Sequence, residues 1–160
     1  MRISWNSLKI SIAGARLSHL VQKDRIWDHG SMTEQVRVIF FKLKKAKARG
    51  SVQELKKYVT KRFYERLKKE MDDFSSEGKR WVIKNEMIKE IAVIEVGKGS
   101  DKKPDCFTAL INAVGIQYVT DVYKNENAPS YSDCVQKFSE RWSFVRQGEW
   151  WLLDGIRAKT

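Results

Sequence analysis

The sequence predicts an α+β domain in which N-terminal helices precede a bent antiparallel sheet. Apolar residues recur at helical spacing between residues 31 and 78, and β-like patterns replace that spacing after residue 81. Residues 138–156 carry the clearest pattern, because aromatic, charged and aliphatic side chains alternate on both sides of Gln147 and Gly148. That alternation is typical of a β-hairpin. Helices followed by consecutive strands give the α+β order.

The first part of the chain is predicted to be an arm, and the rest a single domain. Residues 1–30 form the N-terminal arm, partly packed or flexible, with a short helix over residues 11–22. Trp5 and Trp27 indicate that parts of the arm pack onto the domain. Residues 31–160 are then one domain, which is long enough to bury a sizeable core.

Three helices are expected in the first half of the domain. Ser31 and Glu34 have capping-box spacing at the start of the first helix, and Gly50 is suited to its C-terminus. Ser51 and Glu54 form a second capping box, which opens a short helix with Val52, Leu55 and Val59 inward. Thr60 caps the third helix. Its apolar stripe comprises Phe63, Tyr64, Leu67, Met71 and Phe74.

Antiparallel strands are expected in the second half. Residues 81–96 become β-like, residues 97–105 form a loop, and residues 107–123 read as one long strand. Gly115 within that strand indicates a kink or bulge that bends the sheet. Residues 124–133 form a turn region ahead of the hairpin. Consecutive antiparallel connections of this kind make a meander.

The hairpin pattern also predicts a register. If Gln147 and Gly148 form a two-residue turn, the facing pairs on one side of the sheet follow from it. They are Arg146 with Glu149, Phe144 with Trp151, and Trp142 with Leu153. We interpret the aromatic residues of this face as core packing, with direct ligand contact as the alternative.

The two cysteines and two histidines do not suggest a bridge or a metal site. Cys106 and Cys134 start successive antiparallel strands and would lie at opposite ends of them, too far apart for a disulfide. Neither has a Cys or His neighbour at metal-ligand spacing. We therefore expect two buried, reduced thiols, no metal and no cofactor.

The charge is concentrated in the helical half. The net charge is +11. It divides into +3 for residues 1–30, +8 for residues 31–80 and zero for residues 81–160. Such asymmetry suggests a polyanionic partner, either a membrane surface or a nucleic acid, with a solvated lysine-rich helix face as the alternative. No stretch approaches a membrane span, and residues 1–20 make a poor signal peptide because Lys9 and Arg16 interrupt them.

Three stretches of the sequence carry a family resemblance. The first is the hairpin motif, which consists of Phe138, Glu140, Trp142, Phe144, Arg146, Trp151 and Leu153. The others are the helical stretches at residues 37–46 and 55–67. Together they resemble the C-terminal domain of the mitochondrial inner-membrane translocase subunit 44 family, and the resemblance covers about residues 31–158.

The resemblance implies a cone of helices inside a strongly curved antiparallel sheet, the nuclear transport factor 2-like architecture. It also implies an apolar pocket between helices and sheet, which could hold an acyl chain or a partner side chain. The predicted lining is Phe40, Leu67, Trp142, Phe144 and Trp151. It further implies association with the bacterial inner membrane or the matrix side of the mitochondrial inner membrane.

The predicted function is a non-enzymatic adaptor that contacts anionic lipid or a protein partner through basic helices. The candidate contacts are Lys42, Lys45, Arg49, Lys56, Lys57, Lys61, Arg62, Lys68 and Lys69. RNA or ribosome association through the same surface is the alternative, although no RNA-binding motif is recognisable.

An enzyme of the same fold is a further, less favoured alternative. It would need a polar pair inside the pocket, such as a carboxylate of raised pKa with a Tyr or His. The strand residues available for such a pair are Tyr118, Asp121, Tyr123, Glu140 and Asp154. We interpret these as solvated or salt-bridged positions, with Glu140 paired to Arg141 or Arg146, and assign no catalytic residue.

Overall fold

The computed structural model describes residues 4–123 and 134–158 and has the predicted α+β architecture. Its helices are α1 (Trp5–Lys23), α2 (His29–Arg49) and α3 (Lys61–Ser76), with short 3₁₀ turns at Arg25–Trp27 and Gln53–Leu55. Its strands are β1 (Lys79–Gly97), β2 (Cys106–Asp121), β3 (Gln136–Gln147) and β4 (Trp150–Ala158). The sheet order is β1-β2-β3-β4 and every pair is antiparallel, so the predicted meander is confirmed. The predicted turn at 124–133 lies outside the described residues.

Helix α2 begins earlier than the capping box predicted. Asp28 is its N-cap, and the Asp28 carboxylate accepts a hydrogen bond from the Ser31 backbone N–H at 2.9 Å. A carboxylate is favoured there because it pairs with the positive end of the helix dipole. At the other end Gly50 adopts φ 75°, which confirms the predicted C-cap.

The connection from α2 to α3 crosses the outer edge of β4. The predicted capping box at Ser51 is wrong, because the chain forms only a 3₁₀ turn there without a side-chain cap. The Leu153 N–H donates to the Tyr58 carbonyl at 3.0 Å, and the Thr60 N–H donates to the Leu153 carbonyl at 2.9 Å. Thr60 then caps α3 as predicted, accepting from the Phe63 N–H. The connection thus covers an edge that would otherwise be open for pairing.

Aromatic rings join the helices to the inner face of the sheet. Phe40 of α2 lies 5.5 Å from Trp142 of β3, measured between ring centroids, and both are completely buried. Trp27 packs edge-on against Trp151 at 5.0 Å, while the Trp151 Nε1 donates to the Ile26 carbonyl. The indole N–H of Trp151 is therefore paired despite its burial, as such a donor requires.

The hairpin has the predicted faces but a different register. Its turn lies at Gly148 and Glu149, so Phe144 faces Leu153 rather than Trp151. This is a displacement of two positions, and because side chains alternate with period two it leaves the inward and outward sets unchanged. A bulge beyond Phe144 then shifts the register again and brings Trp142 opposite Ile156.

The N-terminal residues pack against one end of the sheet, where β1 ends and β2 begins. Helix α1 is longer than predicted, and the Arg16 guanidinium donates to the Val96 carbonyl of β1. Arg146 of β3 pairs with Asp24 at 2.6 Å and with Asp105 at 3.1 Å. The hydrogen bond from Arg146 lowers the pKa of the Asp24 carboxyl. The division of the chain at residue 30 stays a prediction.

Both cysteines are free thiols, but their predicted burial is wrong. Cys106 is half-buried beside Gly97, and Cys134 is exposed just before β3. Cys106 pairs with Val145 near the end of β3, so it lies at the opposite end of that strand from Cys134, as expected from the antiparallel arrangement.

Candidate functional site

The predicted basic contacts are all on the protein surface. Each of the nine side chains on α2, α3 and the connection between them is exposed. Arg62 is the one that forms an ion pair among the described residues, with Asp154 at 2.6 Å. Within residues 4–123 and 134–158, the other eight form no ion pair.

Three of these lysines gather around two tyrosines. The Lys42 and Lys57 ammonium groups lie 4.9 and 5.3 Å from the centroid of the Tyr58 ring. Lys56 lies 5.6 Å from the Tyr64 ring. These distances are in the range of cation–π attraction, which holds the charges over half-buried rings. We call these five residues the lysine–tyrosine patch.

An open apolar groove of about 450 Å³ adjoins the lysine–tyrosine patch. Val38 and Ile39 of α2 form one wall, and Trp150 and Leu152 of β4 form the other. Lys57 and Tyr58 line the groove as well, so the patch and the groove are continuous. The Trp150 side chain is 67% exposed and Val38 is 39% exposed, so apolar surface faces solvent here.

The five predicted pocket-lining residues lie mainly in the packed core. Phe40, Trp142 and Phe144 are completely buried, and Leu67 is 4% exposed. Of the five, Trp151 alone lines the groove. Trp150 lines it too, although its place on the outer face gave no sign of this in the sequence. It reaches the groove because β4 is an edge strand.

A polar cluster around the buried Lys44 side chain, here called the buried polar cluster, joins α2 to three strands. Lys44 is 6% exposed, and its Nζ donates to Gln117 Oε1 at 2.8 Å. The same Nζ lies 3.9 Å from Glu140 Oε1, and the rings of Phe40 and Phe138 flank it. Glu140 was expected to pair with Arg141 or Arg146, but its salt-bridge partner is Lys44.

Glu86 is the fourth member of this cluster and is placed by a bulge. The β1–β2 register shifts between Lys84 and Met87, where Asn85 adopts φ 56°. Opposite the bulge, a Cβ on Gly115 would lie 2.6 Å from a Glu86 carboxylate oxygen. Because glycine has no side chain, the Glu86 carboxylate can occupy the space beside residue 115. The bend was predicted at Gly115 itself, but the bulge lies in the facing strand, β1.

Burial sets the proton affinities in this cluster. Desolvation raises the pKa of the Glu86 carboxyl, and the nearby Lys44 charge opposes this. Desolvation lowers the pKa of the Lys44 ammonium, and the charges of Glu140 and Glu86 oppose that shift. Both Glu86 carboxylate oxygens are buried without a hydrogen-bond partner among the residues that the structure describes.

Tyr123, Asp121 and Asp154, which were also considered for an enzyme, occupy different surroundings. Tyr123 is 94% exposed, and Asp121 lies exposed at the end of β2. Asp154 accepts hydrogen bonds from Thr60 and Arg62, which ties β4 to the start of α3. Among residues 4–123 and 134–158, no group of three or more His, Cys, Asp or Glu side chains is arranged to hold a metal ion.

Replacing Gly115 with alanine is expected to destabilise the domain by about 1–3 kcal/mol, because the new methyl group forces the Glu86 carboxylate aside. Chemical denaturation measures the free energy of unfolding. The matched control is Gly14→Ala in α1, where an added Cβ meets nothing within 4 Å. That control should stabilise by roughly 0.5–1 kcal/mol, since alanine is the better helix former. Equal effects at both positions would contradict the packing described for Glu86.

Comparison with known proteins identifies the family. The family model described as the Tim44-like domain matches residues 13–158, which is most of the chain and includes α2, α3 and the whole sheet. The chain belongs to the Tim44-like domain family. Tim44-like domains are membrane-associated, protein-interacting adaptor domains without enzymatic activity.

One solved structure supports the Tim44-like fold. It is the crystal structure of the intermembrane space region of the chloroplast protein ARC6, which is 13% identical. The match has a TM-score of 0.51 and covers 78% of this chain and 94% of that one. No curated protein matched the sequence. Among the described residues of this Tim44-like domain, no helix is both long and apolar enough to cross a membrane.

Proposed function

We propose that this Tim44-like domain is a non-enzymatic adaptor that docks on an anionic membrane surface through the lysine–tyrosine patch. One observation carries the proposal. Lys42, Lys56 and Lys57 surround two tyrosines immediately beside an open apolar groove. A surface that is both cationic and apolar matches the interface of an acidic bilayer, where charged headgroups lie above acyl chains.

Electrostatic attraction would supply the long-range part of the binding. Each Lys or Arg near an acidic bilayer contributes about 1 kcal/mol before screening. The patch lies on helices and a connection that also carry Lys45, Arg49 and Lys61, all exposed. Because the attraction decays within a Debye length of about 8 Å at physiological salt, it should weaken as salt is added.

The groove would supply the short-range part. Trp150 and Tyr58 are the residue types that settle at the boundary between headgroups and acyl chains, since each has an apolar ring and a polar atom. Trp150 is already two-thirds exposed in the free protein, so it can enter the boundary without unpacking the core. The proposed site of action is the bacterial inner membrane or the matrix face of the mitochondrial inner membrane.

RNA is the second polyanion that such a surface could bind, and the patch geometry disfavours it. Single-stranded RNA is held largely by bases stacked on exposed aromatic faces. Here Lys42 and Lys57 already lie against the Tyr58 ring, and Lys56 against the Tyr64 ring. Competition between acidic vesicles and single-stranded RNA would separate the two partners, and displacement of the vesicles by RNA would favour RNA.

Chemical labelling of lysines tests the location of the contact. Acidic vesicles should protect Lys42, Lys56 and Lys57 from an amine-reactive reagent, as measured by mass spectrometry of the digested protein. Lys89 and Lys137, exposed on β1 and β3, serve as internal controls and should react at the same rate with or without vesicles. Protection of the two control lysines with none at the patch would contradict the proposed orientation.

A further inference from the structure

The buried polar cluster contains more negative than positive charge when every member is ionised. Lys44 supplies one ammonium, whereas Glu86 and Glu140 supply two carboxylates. Gln117, the uncharged member, accepts the Lys44 hydrogen bond. Lys47 of α2 is the remaining charge that acts on Lys44. One ammonium therefore faces two carboxylates at a partly buried site, where water screens charges less than at an open surface.

The two carboxylates are not equivalent. Glu140 lies 3.9 Å from the Lys44 ammonium and accepts a hydrogen bond from the Trp142 indole at 3.4 Å. Both oxygens of Glu86 are buried, and no donor in the described part of the chain reaches them. An ionised carboxylate without donors is costly in such a place, whereas a neutral carboxyl is tolerated. Glu86 is therefore the member on which a proton stabilises the folded state.

We propose that Lys44, Glu86, Gln117 and Glu140 form a proton-responsive latch between α2 and the sheet, with Glu86 as the group that takes up the proton. The latch joins α2 to β1, β2 and β3 at one point, so its strength bears on how firmly α2 is held against the sheet. The bulge at Asn85 and the glycine at 115 are the local features that place Glu86 there.

The sign of the pH effect follows from the raised pKa of Glu86. The folded state binds this proton more tightly than the unfolded state does. The stabilisation is thus fully present below the ordinary glutamate pKa, roughly 4.3, and is lost as the pH rises through the higher folded-state pKa. Lys44 has the opposite shift, because burial disfavours its charged ammonium, so its pKa is lowered.

The test compares the pH dependence of unfolding for the unaltered protein, Glu86→Gln and Glu65→Gln. Glu65 is an exposed glutamate of α3 and serves as the matched control. As the pH falls from neutral towards the ordinary glutamate value, the unaltered protein should gain stability relative to Glu86→Gln. The folding equilibrium constant of the unaltered protein, divided by that of Glu86→Gln, should therefore rise as the pH falls. Its total change equals the ratio of the Glu86 acid dissociation constants in the unfolded and folded states. The Glu65→Gln profile should follow the unaltered protein, and a parallel Glu86→Gln profile would overturn the proposal.

A second variant tests the part played by the ammonium. Lys44→Met leaves Glu86 facing Glu140 without a cation between them, so the pH-dependent step should move to higher pH. If the variant folds only in acid, that outcome also supports the latch, since protonation of Glu86 then restores charge balance. An unshifted step would show that Lys44 is not coupled to Glu86 and would overturn the proposed arrangement.

Discussion

Replacing Lys42, Lys56 and Lys57 together with glutamine is expected to weaken binding to acidic vesicles by about 3 kcal/mol, or more than a hundredfold. The estimate takes about 1 kcal/mol for each charge removed from the surface of an acidic bilayer. Glutamine keeps most of each side chain, so the packing against Tyr58 and Tyr64 changes little. Vesicle co-sedimentation at low and physiological salt measures the effect.

A matched triple variant distinguishes the effect of the patch lysines from the effect of the protein's net charge. Lys79, Lys89 and Lys137 are exposed on β1 and β3, and replacing them with glutamine changes the net charge by the same amount. This control should lose much less affinity, because the lysine–tyrosine patch, not the sheet, faces the bilayer in the proposed orientation. Equal losses in the two triple variants would mean that net charge alone drives the binding.

Trp142→Ala is expected to cost about 3–5 kcal/mol of the free energy of unfolding. Trp142 is completely buried and packs against Phe40, so truncation leaves a cavity where α2 meets the sheet. Since natural domains have only about 5–15 kcal/mol in total, the variant would lose a large fraction of its stability. Thermal and chemical denaturation measure the loss.

Trp150→Ala removes an exposed tryptophan from the same hairpin, whereas Trp142→Ala removes a buried one. Its side chain is 67% exposed, so the change should alter stability by no more than about 0.5 kcal/mol. Binding to acidic vesicles should nevertheless weaken, because the proposed contact uses this ring at the bilayer boundary. A large loss of stability in Trp150→Ala, or unchanged vesicle binding, would contradict the role assigned to the groove.

Sequence patterns predicted the fold better than its local pairings. Period-two alternation identified the inward face of the hairpin, because any displacement by two positions preserves that face. The register itself depends on the turn, which formed at Gly148 and Glu149 instead of Gln147 and Gly148. The start of α2 likewise depends on local contacts that the capping-box pattern does not include. Asp28 caps the helix, three residues before the predicted cap at Ser31.

The buried cluster was largely hidden from sequence reasoning. Lys44 lies four residues after Phe40 and one after Leu43, so helical periodicity places it on the inward face of α2. That position predicts burial of the Lys44 side chain. Glu86 gave no such signal, because the bulge at Asn85 interrupts the alternation that assigns strand faces. Trp150 was also missed, since only the three-dimensional structure shows that the edge of β4 borders a groove.

The most direct test of the proposed function is the partition of the unaltered protein onto vesicles of graded phosphatidylserine content. Because the lysine–tyrosine patch is exposed and cationic, binding should be undetectable on neutral vesicles, rise steeply with the anionic fraction and fall with added salt. Equal binding to neutral and acidic vesicles, or binding to neither, would contradict an anionic membrane surface as the partner of this domain.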